Sequence, residues 1–283
     1  MKIYITGANG FIGSSFVQQA IANKHEVIAM RKPECLEAFS IDTIRSFKPD
    51  VVMHCAWLTD PSVYNDSPYN IALRDLTIRF FKQIRDLKIQ RFVACGTCAE
   101  YQSSVDPLNE ETSAIEPQTL YAAAKSETYQ GIMKESQGSS TNITWARIFF
   151  PFGPAEHPGK IISSIIRGIS EKDPVTIKTP HAIRDFIHVE DVASALLFLC
   201  QKKSSGVFNV GTGHGTKLSE INEKIKMILG KKTKRNEHQE KHEQVKKPDS
   251  IVASVKKINA LGWVNKYTFD TGLATYSSLK RYK

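Results

Sequence analysis

The chain has 283 residues, 41% of them hydrophobic, and a formal net charge of +9. That length and apolar share exclude a disordered chain and leave room for a large core, as one big α/β domain or a large and a small one. No long uncharged apolar run occurs, which excludes a membrane-spanning helix, and no leader pattern opens the sequence, so a cytoplasmic location is expected.

In chain order, "KIYITG" reads as a strand, followed by a helix over about 11–23, the strand "HEVIAM", a helix around 41–47 and the strand "DVVMHCAW". A long helix over about 69–87, the strand "RFVACGT", a helix holding Tyr121 and the strand "NITWARIFFP" complete the first half. Repeated βα units of this kind predict an α/β fold, a Rossmann-type doubly wound parallel sheet with helices on both faces. After Pro151 the segment "PFGPAEHPG" is rich in Pro and Gly and shorter elements follow. Residues 1–150, with about 181–200, are expected to form the dinucleotide-binding domain. Residues 151–180 and 201–283 are expected to form a smaller, mixed α/β substrate lobe.

Much of the positive charge falls in one segment, 224–247, where Lys is mixed with Glu and no aromatics are interleaved. That pattern argues for a solvated helix end rather than a nucleic-acid surface, though its field would also attract a small polyanion. The five cysteines, at 35, 55, 95, 98 and 200, lie among apolar neighbours and suit reduced, buried thiols. Cys95 and Cys98 form a CxxC, but with no second pair and no nearby histidine no metal site is expected.

"YITGANGFIG" places Gly7, Gly10 and Gly13 between the first strand and the first helix. A tight turn, close approach to a pyrophosphate and free N–H groups at a helix start all suit glycine there. The predicted dinucleotide site comprises Gly7, Asn9, Gly10, Phe11, Ile12 and Gly13. At the end of the second strand, where an NAD-selective protein would hold an acid for the ribose 2′-hydroxyl, the sequence reads "VIAMRKPE". Arg31 and Lys32 suit a 2′-phosphate, so NADP(H) is the expected coenzyme, with NAD(H) possible.

"LYAAAKSE" puts Tyr121 and Lys125 four residues apart, on one face of a helix. That spacing alone is also that of an ordinary exposed pair. Taken with "TGANGFIG", "GTCAEY", "RDFIHVEDVA", "FNVGTG" and the late "LGW", it resembles the extended short-chain dehydrogenase/reductases, the NAD-dependent epimerase/dehydratase family acting on nucleotide sugars. The resemblance implies a catalytic set of Thr97, Tyr121 and Lys125. Tyr121 would exchange a proton with the sugar oxygen, Lys125 would lower the phenol pKa and bind the nicotinamide ribose, and Thr97 would orient the reacting oxygen. It further implies Ala56 along the cofactor and Asn70 beneath the site, for both of which a purely structural role fits equally. Arg184 and Lys160 are implied at the nucleotide diphosphate and Phe186 near the nucleotide, although an Arg-Asp packing pair would read the same way. Homodimerisation through the helices at about 69–87 and 121–137 is implied as well.

The pattern also departs from the family. The Asp-Glu pair that follows the catalytic Thr in dehydratases is replaced by Cys98 and Ala99, which argues against a dehydratase. Phe150 stands in for an Asn that many epimerases carry, and a late "RPGD" arginine is matched only by Lys246 or Lys247 in "KKPD". The expectation is an NADPH-dependent 4-ketoreductase of a nucleotide-diphospho-4-keto-6-deoxy sugar. The alternatives are an NAD-dependent nucleotide-sugar 4-epimerase and, from a different class, a non-catalytic dinucleotide-responsive binding protein.

Overall fold

A computed structural model of the chain describes residues 1–30, 41–173, 175–228 and 249–277. The elements run β1 (Lys2–Thr6), α1 (Phe11–Ala22), β2 (Glu26–Ala29), α2 (Ile41–Phe47), β3 (Val51–His54), α3 (Tyr69–Asp86), β4 (Arg91–Thr97) and, after a short 3₁₀ turn, α4 (Leu120–Glu135). They continue as β5 (Asn142–Ile148), β6 (Phe150–Phe152), α5 (Ile161–Glu171), β7 (Ile183–Arg184), β8 (Phe186–His188), α6 (Val189–Gln201) and β9 (Gly206–Val210). The last are β10 (Thr216–Lys217), α7 (Leu218–Ile228), β11 (Ser250–Ile251), α8 (Lys256–Ala260) and α9 (Phe269–Ser277).

Six strands form one parallel sheet in the order β2-β1-β3-β4-β5-β9. Its central strands read as near-continuous apolar runs because both faces are covered. Successive side chains then serve opposite layers. Ile3, Ile5, Val51, Met53 and Val93 join Phe16 of α1 and Leu196 of α6 in one core. Tyr4, Val52, Phe92 and Trp145 join Phe80 and Phe81 of α3 and Ile132 of α4 in the other. The doubly wound expectation is thus met.

A third apolar cluster lies beyond the sheet, with Phe152, Ile162, Ile165, Ile166, Phe186, Leu218, Ile221 and Tyr276. Around it stand a two-stranded sheet, β6-β8, and a three-stranded one, β10-β7-β11. The expected boundary at 201 needs correction. β9 pairs in register with β5, from Thr144↔Gly206 to Ile148↔Val210, and Ile258 and Trp263 are buried in the first core. Within 181–200, α6 and Ile187 of β8 pack on that core, while β7 and β8 make their strand pairings in the smaller sheets. The physical reason is that β5 would otherwise be an unpaired edge.

Candidate active site

The ends of β1, β3 and β4 converge on one edge of the sheet, where open α/β folds bind ligands. After β1 the chain turns through Gly7, whose φ of +72° lies in the left-handed region that glycine adopts without strain. A Cβ on Gly7 would sit 2.6 Å from the Ala56 nitrogen, and one on Gly13 would sit 2.1 Å from the Gly7 carbonyl oxygen. Gly10 N–H donates to that same oxygen at 3.0 Å. The loop is therefore wound tightly against the entrance of α1 and against Ala56, which is buried. Gly10 caps α1 without any side-chain hydrogen bond, and the first turn carries no acid. Asn9 and Gly10 are exposed while Phe11 and Ile12 are half-buried. A bare, uncapped 12-residue helix start behind a side-chain-free turn fits a dinucleotide pyrophosphate. Arg31, Lys32, Lys246 and Lys247 lie outside the described residues.

At the end of β4, Thr97 is buried and starts the 3₁₀ turn Cys98–Glu100. Its hydroxyl accepts the Ala99 N–H at 3.2 Å, and the Glu100 carboxylate returns to accept the Thr97 N–H at 2.9 Å. This is a capping box, T-x-x-E, legible in "TCAE". Glu100 is wholly buried and also accepts from Trp145 Nε1 at 3.0 Å and Arg147 Nε at 2.8 Å. Glu100 is not among the nominated residues, and the T-x-x-E box is the signal that marks it in the sequence.

Thr119 caps α4 by accepting the Ala122 N–H at 3.1 Å, which fixes where the Tyr121 turn begins. Tyr121 then lies within hydrogen-bonding influence of Thr97. Burial is the largest influence on its phenol and pushes the pKa up, against the pull of Thr97; Tyr64, Cys98 and Glu100 push the same way as burial. Desolvation thus sets the net direction, opposite to the lowering expected from Lys125.

Lys125 is buried, and its Nζ donates to the Cys95 carbonyl at 2.8 Å and lies 3.8 Å from the Trp57 ring centroid. Burial pulls its pKa down from 10.5 to about 8. Beneath it His54, held by Thr6 at 2.8 Å and Thr77 at 3.1 Å, is kept neutral, its pKa lowered to about 3 by burial and by the Lys125 charge. Asn70 is fully buried; its Oδ1 accepts from Trp57 Nε1 at 2.9 Å, and its Nδ2 donates to the Tyr64 and Ser67 carbonyls. Trp57 and Tyr64 were also missed, because isolated aromatics in a loop carry no periodic signal.

The remaining nominated residues sit further out. Lys160 caps α5, and its Nζ lies 4.6 Å from the Tyr64 ring centroid, so it faces the same aromatic group as Tyr121. Arg184 is paired with Asp249 at 2.6 Å and lies over the Phe150 ring. Phe186 is buried among Phe150, Phe152 and Phe269. Its neighbour Asp185, fully buried, accepts from Thr212, Gly213 and Ala253, tying "RDF" to the "GTG" turn. Cys95 Sγ lies 3.6 Å from Cys55 Sγ. Among the described residues no group of His, Cys, Asp and Glu could hold a metal ion, and no helix is long and apolar enough to cross a membrane.

The chain is similar to known proteins in sequence and in fold. UDP-glucuronate 4-epimerase of Thermodesulfobacterium geofontis is 26% identical over 226 residues, 77% of this chain and 66% of that one. The dTDP-4-dehydro-6-deoxyglucose reductase of Escherichia coli is 24% identical over 310 residues, covering 96% of this chain and 95% of the other. The solved structure of UDP-glucuronic acid 4-epimerase from Bacillus cereus, in complex with UDP-glucuronic acid and NAD, superposes with a TM-score of 0.84 at 20% identity, over 100% of both chains. Residues 3–211 match the sequence model of a single family, spanning the glycine turn, Thr97, Tyr121, Lys125 and the last strand of the main sheet. The chain therefore belongs to the NAD dependent epimerase/dehydratase family, and it is an enzyme of the nucleotide-sugar epimerase, dehydratase and reductase type.

Proposed function

We infer that the protein reduces the C4 keto group of a nucleotide-diphospho-4-keto-6-deoxy sugar with NADPH. One observation carries the reading: Tyr121 stands beside Thr97, ahead of a turn whose first two residues, Cys98 and Ala99, offer no acid or base for removing water. A protonated phenol is poised to donate.

The dinucleotide, when bound, supplies the hydride. Thr97 and Tyr121 bind the carbonyl oxygen, and Tyr121 gives its proton to the alkoxide as charge develops there. Lys125, about half charged near pH 8, offers the ammonium that stabilises the resulting phenolate. Lys160 and Arg184 supply cationic groups for the diphosphate, with Arg184 leaving Asp249 to do so, while Phe186 packs in the lobe behind them. NADP(H) preference rests on Arg31 and Lys32. The reading carries a cytoplasmic location, where pyridine nucleotides and nucleotide sugars meet, and a homodimer through α3 and α4, on which Tyr69, Ile71 and Met133 are exposed.

A second reading, a nucleotide-sugar 4-epimerase using NAD, is favoured by the 26% identity to UDP-glucuronate 4-epimerase. The test is incubation with NADPH and separate CDP-, dTDP-, GDP- and UDP-linked 4-keto sugars, following loss of nicotinamide absorbance and assigning the product by NMR. Stoichiometric NADPH consumption supports the reductase, and interconversion of 4-hydroxy sugars with nicotinamide retained supports the epimerase. The Tyr121→Phe variant should lose about 10²–10⁴-fold in turnover, the usual contribution of a positioned acid; native turnover in that variant would remove Tyr121 as the donor.

A further inference from the structure

Lys125 is an ammonium 3% exposed in an apolar site, and something must hold it there. Three contacts do so: the Cys95 carbonyl at 2.8 Å, the face of Trp57, whose centroid is 3.8 Å from Nζ, and, further off, the Trp145 ring at 6.0 Å. The indole is itself immobilised, being 6% exposed, with its Nε1–H on Asn70 at 2.9 Å. The same Asn70 donates to the carbonyls of Tyr64, at 2.7 Å, and Ser67, at 2.9 Å. Tyr64 in turn sets its ring edge-on to Tyr121, with centroids 4.9 Å apart and planes at 79°. The Tyr121 N–H donates to the carbonyl of Asn65 at 2.9 Å. One short segment, knotted to α3 by a single asparagine, thus touches both members of the Tyr121–Lys125 pair.

We propose that Trp57 is a positioning residue for Lys125: its indole face, locked by Asn70, fixes the ammonium over the catalytic edge of the sheet while Tyr64 fixes the phenol from the same segment. The inference deepens the proposed function and rests on it for its catalytic part. A cation over an indole is attracted by the ring quadrupole, and most strongly when both are desolvated, as here. Lysine has four flexible carbons, so without that face the ammonium keeps only the Cys95 carbonyl and the distant Trp145 ring, at 6.0 Å, and can take other rotamers. Phenylalanine would keep a weaker π-face but no N–H for Asn70. Leucine would keep apolar bulk and lose both.

The test has two arms. In coenzyme-free protein with isotope-labelled lysine, the ε-methylene protons of Lys125, identified by their disappearance in Lys125→Arg, should be shifted upfield by the indole ring current. The shift should shrink in Trp57→Phe and fall in Trp57→Leu to the small remainder that the Trp145 ring, 6.0 Å away, supplies. In the keto-sugar assay, Trp57→Leu should lower kcat about thirtyfold, the size of a desolvated cation–π contact, with KM for the sugar unchanged and Trp57→Phe recovering most of the loss. An unshifted Lys125 signal in the native protein overturns the inference, as does native kcat in Trp57→Leu. If Trp57→Leu does not fold, the native and Trp57→Phe spectra decide. If no keto sugar is turned over, the proposed function fails while the spectra still judge the Trp57–Lys125 contact.

Discussion

Glu100 and Arg147 form an ion pair at 2.8 Å in which the side chains are 0% and 5% exposed. The carboxylate is shared with the Thr97 N–H and the Trp145 indole, and the guanidinium lies 4.4 Å from the Tyr101 ring centroid. A salt bridge of this kind acts as the floor of the catalytic turn. Removing one partner strands the other charge where water does not reach, which typically costs about 3–5 kcal/mol. Glu100→Ala should accordingly lose about that much stability in urea unfolding. A loss below about 1 kcal/mol, the value of a surface pair, would show that Arg147 finds solvent after all.

Gly13 leaves no room for a methyl group, since a Cβ there would lie 2.1 Å from the Gly7 carbonyl oxygen, a backbone atom that cannot swing aside. Gly13→Ala should push the glycine turn away from α1, costing about 1–3 kcal/mol, and should abolish dinucleotide binding. Calorimetric titration with NADPH and NADH, paired with thermal unfolding, measures both. Unimpaired binding with normal melting would mean that the turn is looser than its packing indicates.

Lys125 titrates at about 8 in the folded protein against 10.5 for an ordinary lysine, burial being the largest cause. Between those values the unfolded chain binds the extra proton, so this residue's contribution to stability is present above 10.5 and lost as pH falls through about 8. Lys125→Met should flatten that part of the stability–pH curve. For catalysis the ammonium is the useful form, so kcat/KM should decline on the alkaline side with a midpoint near 8. An alkaline limb close to 10 would indicate that the amine is solvated.

Glu156 shows the opposite linkage. It is buried under α5, accepts the Ser163 N–H at 2.8 Å and bonds the Tyr276 hydroxyl, and burial raises its pKa from 4.5 to about 7. The folded protein holds the proton that the unfolded chain has released, so the stabilisation is complete below 4.5 and lost as pH rises through about 7. Glu156→Gln, which mimics the protonated form, should melt above the native protein at pH 8 and equal it at pH 4. A variant less stable at pH 8 would mean that the carboxylate itself is the stabilising species there.

Much of this was legible in the sequence because the signals were periodic or obligatory. The buried runs of β3, β4 and β5, the glycines at 7, 10 and 13, and the Thr119-capped helix carrying Tyr121 and Lys125 each obey a local rule. What escaped notice depends on contacts across the chain. β9 resembles any short strand until β5 offers it an edge, so its sequence does not tell which lobe holds 206–210. Trp57 is one aromatic in a loop until Asn70, 13 residues on, turns it over Lys125. The direction of the Tyr121 shift follows from how deeply the helix is buried, and spacing is silent about depth. Glu100 is the instructive exception, since "TCAE" spelled out the box.

The outermost position of β9 also governs how this enzyme can be recombined with others. A chimera that exchanges sugar-recognition halves at residue 201 would seat a foreign strand against β5, and any mismatch in that seam bares a row of N–H and C=O groups able to recruit a second molecule. A splice just after Val210 keeps that seam closed, so shuffled libraries cut there should give monodisperse products where those cut at 201 precipitate.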